Sequence, residues 1–112
     1  MANESKPVLT QATYRPKKGK EQQLLDLVKR HWSVLQKTGL ATQEPATIYR
    51  ATSKSGLFKK GKVFFIEIFS WIDGEASGRA RQLPEVMAIW EPMGAVLEGG
   101  RPELAILEPV AK

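Results

Sequence analysis

The chain contains no cysteine and a single histidine among its 112 residues. The lack of cysteine excludes disulfides, thiolate nucleophiles and cysteine-ligated zinc or iron–sulfur centres. One histidine without cysteine also gives no recognisable metal cluster, so no metal is expected. The sequence has no glycine-rich phosphate loop, no dinucleotide fingerprint and no serine in a nucleophile-elbow context. It therefore predicts a protein that works without a bound cofactor.

Long apolar runs are missing as well. The most apolar stretch, residues 63–71, contains Glu67 and is far too short to span a bilayer. The polar residues 1–7 have no apolar core of the kind that a signal peptide requires. We therefore expect no membrane partner and a cytoplasmic location.

The net charge of +5 raises the question of a nucleic-acid partner. The lysines concentrate in residues 16–20 and 54–62, two segments that are predicted to connect secondary-structure elements. No run of aromatic residues alternates with them, as a surface for base stacking requires. We interpret the lysines as a solvated basic rim, and no nucleic-acid partner is expected.

The sequence patterns predict one domain at residues 8–110, after a disordered lead-in at residues 1–7. The patterns predict strands at residues 8–14, 46–52, 62–71 and 103–110, and helices at 21–38, from 73 to about 82, and from 84 to about 98. Pro92 is expected to kink the last helix. Leu57 and Phe58, in the connection between strands 2 and 3, are expected to fold back onto the domain or to touch a partner.

This element order, β-α-β-β-α-β, predicts an α+β fold of the ferredoxin-like type. The third strand is informative because its side chains alternate between two faces. Apart from Glu67, its odd positions are apolar, and so are Phe64, Ile66 and Ile68 at even positions. Helices can cover only one face of an antiparallel sheet here. We expect a second copy to cover the other face, giving a homodimeric α/β barrel.

Three segments resemble the antibiotic-biosynthesis-monooxygenase superfamily of dimeric α/β-barrel proteins. They are Gly19-Lys20-Glu21 at the start of the first helix, VFFIEIFSW at 63–71 and LPEVMAIW at 83–90. The resemblance covers most of residues 8–110 and implies a cavity between the sheet and the helices. The superfamily includes cofactor-independent monooxygenases acting on polycyclic phenols, and haem-degrading enzymes. The haem-degrading branch uses an asparagine on strand 1 and a histidine on the last helix. This chain has neither, so the resemblance does not imply haem degradation.

His31 and Glu67 are the candidate catalytic residues. His31 falls on the apolar stripe of the first helix, where it is a base or a buried histidine satisfied by a neighbour. Glu67 lies among aromatic residues, where a carboxylate needs a partner. That partner is either His31, whose tautomer it would fix, or Arg50 in a structural ion pair. Tyr49 is either a polar contact for a phenolic oxygen or a core residue with a satisfied hydroxyl.

Aromatic and flexible apolar side chains suit a flat ligand pocket, although they also build ordinary cores. The candidates for the pocket walls are Trp32, Phe65, Phe69, Trp71, Met87 and Trp90. Two functions remain open at this point. The first is a cofactor-independent monooxygenase or an isomerase-like enzyme acting on a small aromatic or polyketide-type substrate. The second is a non-catalytic dimeric module that binds a small apolar ligand or supports a partner.

Overall fold

The structure, a computed structural model, describes residues 6–54 and 61–111. The elements follow the order β1 (Val8–Tyr14), α1 (Glu21–Lys37), β2 (Thr47–Thr52), β3 (Val63–Trp71), α2 (Ala76–Ala80), α3 (Pro84–Val96) and β4 (Glu103–Ile106). Leu57 and Phe58, like most of the predicted lead-in, lie outside the described residues. Within those residues, no helix has the length and apolar character needed to cross a membrane.

The four strands form one antiparallel sheet in the order β2-β3-β1-β4. This topology confirms the predicted ferredoxin-like α+β class. The last strand is shorter than the sequence predicts, since it ends at Ile106 and leaves Glu108 beyond it. Its neighbour β1 begins at Val8, so few pairing partners remain after Ile106. Pro109 then has no N–H to donate.

Helix α1 forms where apolar residues recur at three- and four-residue steps, and it buries that stripe against the sheet. It ends in a Schellman motif, in which Leu40 N–H donates to the Leu35 carbonyl at 2.8 Å and Gly39 N–H donates to the Gln36 carbonyl at 3.1 Å. Gly39 adopts a φ of +78° there, a conformation that a residue without a Cβ reaches at little cost.

Helix α3 begins with Pro84 in its first turn, where the missing N–H leaves no hydrogen bond unmade. The helix continues through Pro92 as far as Val96, so Pro92 does not interrupt it. Buried residues on both sides of Pro92, among them Ile89 and Met93, hold the two halves of the helix against the sheet.

The helices cover only one face of the sheet. Odd-numbered residues of β3 from Phe65 to Trp71 are buried, whereas the even-numbered ones are half-buried. The far face also presents Leu9 from β1 and Tyr49 from β2, which are 40% and 53% exposed. We call this uncovered surface, centred on Ile66, the open face of the sheet.

Candidate functional site

A cavity of about 890 Å³ lies on the helix side of β1 and β4. Thr10, Ala12 and Tyr14 of β1 line its floor, and His31 and Trp90 line it from the helices. Two further floor residues, Leu104 and Ile106 of β4, remain 70% and 76% exposed. The cavity is therefore a trough that opens along the edge strand, with an apolar floor and a polar inner end.

A chain of hydrogen bonds lies at this inner end and joins four elements. The Tyr14 hydroxyl of β1 donates to Glu67 Oε1 of β3 at 2.6 Å. His31 Nδ1 of α1 lies 2.9 Å from the same oxygen. The Trp90 indole N–H of α3 donates to His31 Nε2 at 2.8 Å. The two ring nitrogens of the histidine are thus both engaged, one by a carboxylate and the other by an indole.

The bonding partners fix the tautomer of His31. An indole nitrogen only donates, so His31 Nε2 must accept with its lone pair. The ring proton then sits on Nδ1, which donates to Glu67. This arrangement is that of a neutral imidazole whose orientation is set by a carboxylate, as general bases in enzymes often are.

Glu67 is fully buried, and Tyr14 and His31 are only 2% and 4% exposed. Burial, followed by the negative charge of Glu67 and the hydrogen bond to it, raises the pKa of the Tyr14 hydroxyl well above its ordinary value. Tyr14 therefore remains a neutral donor to the carboxylate. The second oxygen, Glu67 Oε2, is buried without a hydrogen-bond partner in the described part of the chain.

Because the pKa of Tyr14 is raised in the folded protein, the free energy of unfolding should vary with pH in the alkaline range. Above about pH 10 the tyrosine ionises in the unfolded chain while the folded chain retains its proton. The free energy of unfolding should then fall by up to about 1.4 kcal/mol per pH unit because of this group. In the Tyr49→Phe protein Tyr14 is the sole tyrosine, so phenolate absorbance should appear only together with unfolding. A control protein carrying both Tyr14→Phe and Tyr49→Phe should lack this part of the slope, and equal slopes would contradict the assignment.

Several of the predicted wall residues lie at the cavity. Phe69, Trp71 and Trp90 line it together with His31. The Phe69 ring meets His31 edge-on at 5.6 Å between ring centroids and meets Trp71 at 5.1 Å. These contacts give His31 an aromatic surrounding on the cavity side, while Glu67 lies beneath it, away from the cavity lining.

Four of the residues predicted to contact the substrate are not brought to the cavity lining. Tyr49 is on the open face, because its register with Ile66 points it away from the helices. Phe65 is buried in the core, where the Arg50 guanidinium lies over its ring at 5.2 Å from the centroid. Met87 and Trp32 are half-buried on α3 and α1, and Trp32 packs against a separate part of the core.

The partner of Glu67 is therefore His31 and not Arg50. Sequence reasoning missed Tyr14, which supplies the second hydrogen bond to the carboxylate. The available signal was the alternation of β1, since Thr10, Ala12 and Tyr14 share one face. Asp73, which lines the cavity, accepts a hydrogen bond from Arg79 at 3.0 Å, and this bond lowers the pKa of the Asp73 carboxyl.

A metal site is not apparent in the described ranges. Within residues 6–54 and 61–111, no group of three or more histidine, aspartate or glutamate side chains is placed to hold a metal ion.

The fold is shared by solved structures at low sequence identity. SnoaB, a cofactor-independent oxygenase from Streptomyces nogalater, matches with a TM-score of 0.64 and 13% identity over 96% of each chain. A dimeric ferredoxin-like protein of unknown function from Jannaschia sp. matches with a TM-score of 0.61 and 11% identity, over 92% of this chain and 99% of that one. A NIPSNAP family protein from Agrobacterium tumefaciens matches with a TM-score of 0.60 and 17% identity, over 94% of this chain and 87% of that one.

These likenesses show the fold. They confirm the ferredoxin-like architecture that the sequence predicts. No protein-family model matches the sequence, and no curated protein matches it either.

Proposed function

We propose that this protein is a cofactor-independent oxygenase that removes a proton from an acidic aromatic substrate and lets the resulting anion react with oxygen. The observation that carries the proposal is the hydrogen bond of 2.9 Å between His31 and Glu67 at the cavity. A neutral imidazole takes up the substrate proton at Nε2, and the carboxylate at Nδ1 stabilises the imidazolium that forms. The oxygenase named among the structural relatives adds support by analogy of fold.

The reaction balances without a cofactor when the substrate has an acidic CH₂ group conjugated through a ring to a carbonyl, so that its enol tautomer is a phenol. Loss of the hydroxyl proton of this tautomer to His31 gives an anion whose charge is shared between the oxygen and the former CH₂ carbon, and this anion transfers one electron to O₂. The two radicals combine through a new C–O bond, and the peroxide takes the proton back from the imidazolium. Loss of water from the hydroperoxide then leaves a carbonyl, so one oxygen atom enters the product and the other leaves as water.

Oxygen uptake with dithranol, a dihydroxyanthrone with such a CH₂ group, tests this proposal. We expect the protein to accelerate uptake over the spontaneous rate, and His31→Gln to reduce the acceleration by about 10²–10⁴-fold, as is typical when a general base is removed. Glu67→Gln should reduce it too, because the imidazolium loses its charged partner. Tyr49→Phe, on the open face, is the control and should keep the native rate. Native rates in the His31→Gln protein would refute His31 as the base.

A non-catalytic ligand-binding role is the second candidate. It is favoured by the Trp90 indole, which occupies His31 Nε2 in this structure. If dithranol quenches the fluorescence of the cavity tryptophans while oxygen uptake stays at the spontaneous rate, the binding role replaces the enzymatic one.

The proposal includes a homodimer formed through the open face of the sheet. Phe64, Ile66 and Ile68 are apolar residues there, and a structural relative is itself described as dimeric. Pairing two such faces across a two-fold axis buries both. It leaves the cavity, which lies on the opposite side of the sheet, accessible in each subunit.

A further inference from the structure

The proposed base is not free to act as the structure stands. His31 Nε2 accepts the Trp90 indole N–H at 2.8 Å, and His31 Nδ1 is held by Glu67. An imidazole removes a proton only with an unshared lone pair. The one lone pair of the neutral ring is therefore occupied by a tryptophan that also lines the cavity.

We propose that Trp90 is a positioning residue that holds the place of the substrate's acidic hydroxyl, and that a ligand reaches His31 by displacing the indole N–H with its own O–H. This inference rests on the proposed function and names the class of ligand. A ligand with a hydroxyl donor replaces the lost hydrogen bond. A ketone or an ether offers only acceptors and leaves His31 Nε2 without a donor, which is unfavourable for a buried polar atom. The site therefore favours ligands that carry a hydroxyl group, and the lone pair of His31 Nε2 becomes available only when such a ligand binds.

The surroundings of Trp90 leave room for this displacement. Trp90 is half-buried, and its neighbour one turn later, Gly94, also lines the cavity. A Cβ at Gly94 would approach the Gly100 carbonyl oxygen to 3.0 Å, so the glycine permits close packing of that backbone against α3. The cavity borders both Trp90 and Gly94 and provides the space into which the indole can turn.

Trp32 offers a matched control. It is also an indole on a helix, next to His31 in sequence, but its N–H is buried without a hydrogen-bond partner among the described residues. Trp32→Phe and Trp90→Phe make the same chemical change. Only the second removes a donor from His31.

Acylation by diethyl pyrocarbonate tests the occupied lone pair without any ligand. The reagent attacks an unprotonated imidazole nitrogen, and the chain has one histidine, so the rise in ultraviolet absorbance reports His31 alone. We expect Trp90→Phe to speed the reaction by roughly two- to tenfold, the factor that one net hydrogen bond represents. Trp32→Phe should react at the native rate. Equal rates in the native and Trp90→Phe proteins would overturn the proposal.

Nitrogen NMR of the native protein provides a second measurement that needs no variant. The spectrum should place the ring proton of His31 on Nδ1, with Nε2 as the acceptor. A proton on Nε2 contradicts the Trp90 hydrogen bond and the proposal with it.

Binding of 2-naphthol and of its methyl ether then tests displacement. We expect the naphthol to bind and to shift the indole N–H resonance of Trp90, whereas the ether binds more weakly. Trp90→Phe should bind the naphthol roughly two- to tenfold more tightly, because no hydrogen bond has to be broken first. Naphthol binding that leaves the Trp90–His31 bond in place overturns the displacement but leaves the proposed function intact. If neither compound binds but His31 reacts faster in the Trp90→Phe protein, the proposed ligand class is wrong. The inference that Trp90 occupies the lone pair of His31 then still stands.

Discussion

Replacing Glu67 with alanine should lower the free energy of unfolding by about 2–6 kcal/mol, because two buried neutral donors each lose their acceptor at a cost of about 1–3 kcal/mol. Glu67 is fully buried, and its Oε1 accepts hydrogen bonds from Tyr14 and His31. Alanine leaves both donors unsatisfied in the interior and opens a space in the core. Urea denaturation followed by circular dichroism measures the loss.

Two further variants show whether the loss comes from the hydrogen-bond network. Glu67→Gln preserves the shape and one acceptor but places an amide group where Glu67 Oε2 has no partner, so we expect a smaller loss of about 1–3 kcal/mol. Glu98→Gln removes an exposed carboxylate that pairs with Lys62 at 2.9 Å, and its effect should stay within about 1 kcal/mol. If Glu67→Ala and Glu98→Gln cost the same, the buried network is not a source of stability.

The second large effect concerns the proposed dimer. Ile66 is at the centre of the open face, paired with Thr13 of β1 and Tyr49 of β2. Ile66→Asp would place a carboxylate without a partner in each half of the buried contact. The cost of an unpaired buried charge is about 3–5 kcal/mol, so we expect the dimer dissociation constant to rise by at least ~100-fold. Sedimentation velocity at several protein concentrations measures it.

Val110→Asp is the matched control for the dimer. Val110 is 95% exposed and follows the last strand, so the same change of residue type there should leave the association state unchanged. Circular dichroism should show that Ile66→Asp remains folded, because residue 66 is outside the helix-covered core. A native protein that is monomeric at micromolar concentration would remove the dimer from the proposal while leaving the cavity and its chemistry untouched.

The sequence indicated much of the fold because the relevant signals are local. The helical stripe of α1 and the alternation of β3 can each be read from consecutive residues, and both patterns placed His31 and Glu67 on definite faces. The pairing of the two required one more fact, namely which face of β3 meets the helices. Both faces of β3 carry apolar residues, and a single sequence does not specify which of the two the helices cover.

The failures have the same origin. Tyr49 was expected at the pocket or in the core, but its register with Ile66 of β3 places it on the open face. Tyr14 was read only as the end of a strand, although it reaches Glu67 across the β1–β3 pairing. Trp90 was expected as an apolar wall. Its hydrogen bond to His31 depends on the packing of α3 against α1, a distance in space that residue spacing along either helix does not encode.

The four hydrogen-bonded side chains at the cavity affect how the domain folds and unfolds. Its three hydrogen bonds join residues separated by 53, 36 and 59 positions, so a chain without cysteine carries a noncovalent cross-link between its first strand and its last long helix. Such contacts form late in folding, because long loops must close before they are made. A molecule seated on His31 should therefore slow amide hydrogen exchange in β1, α1, β3 and α3 together, and local fraying of any one of them should release it.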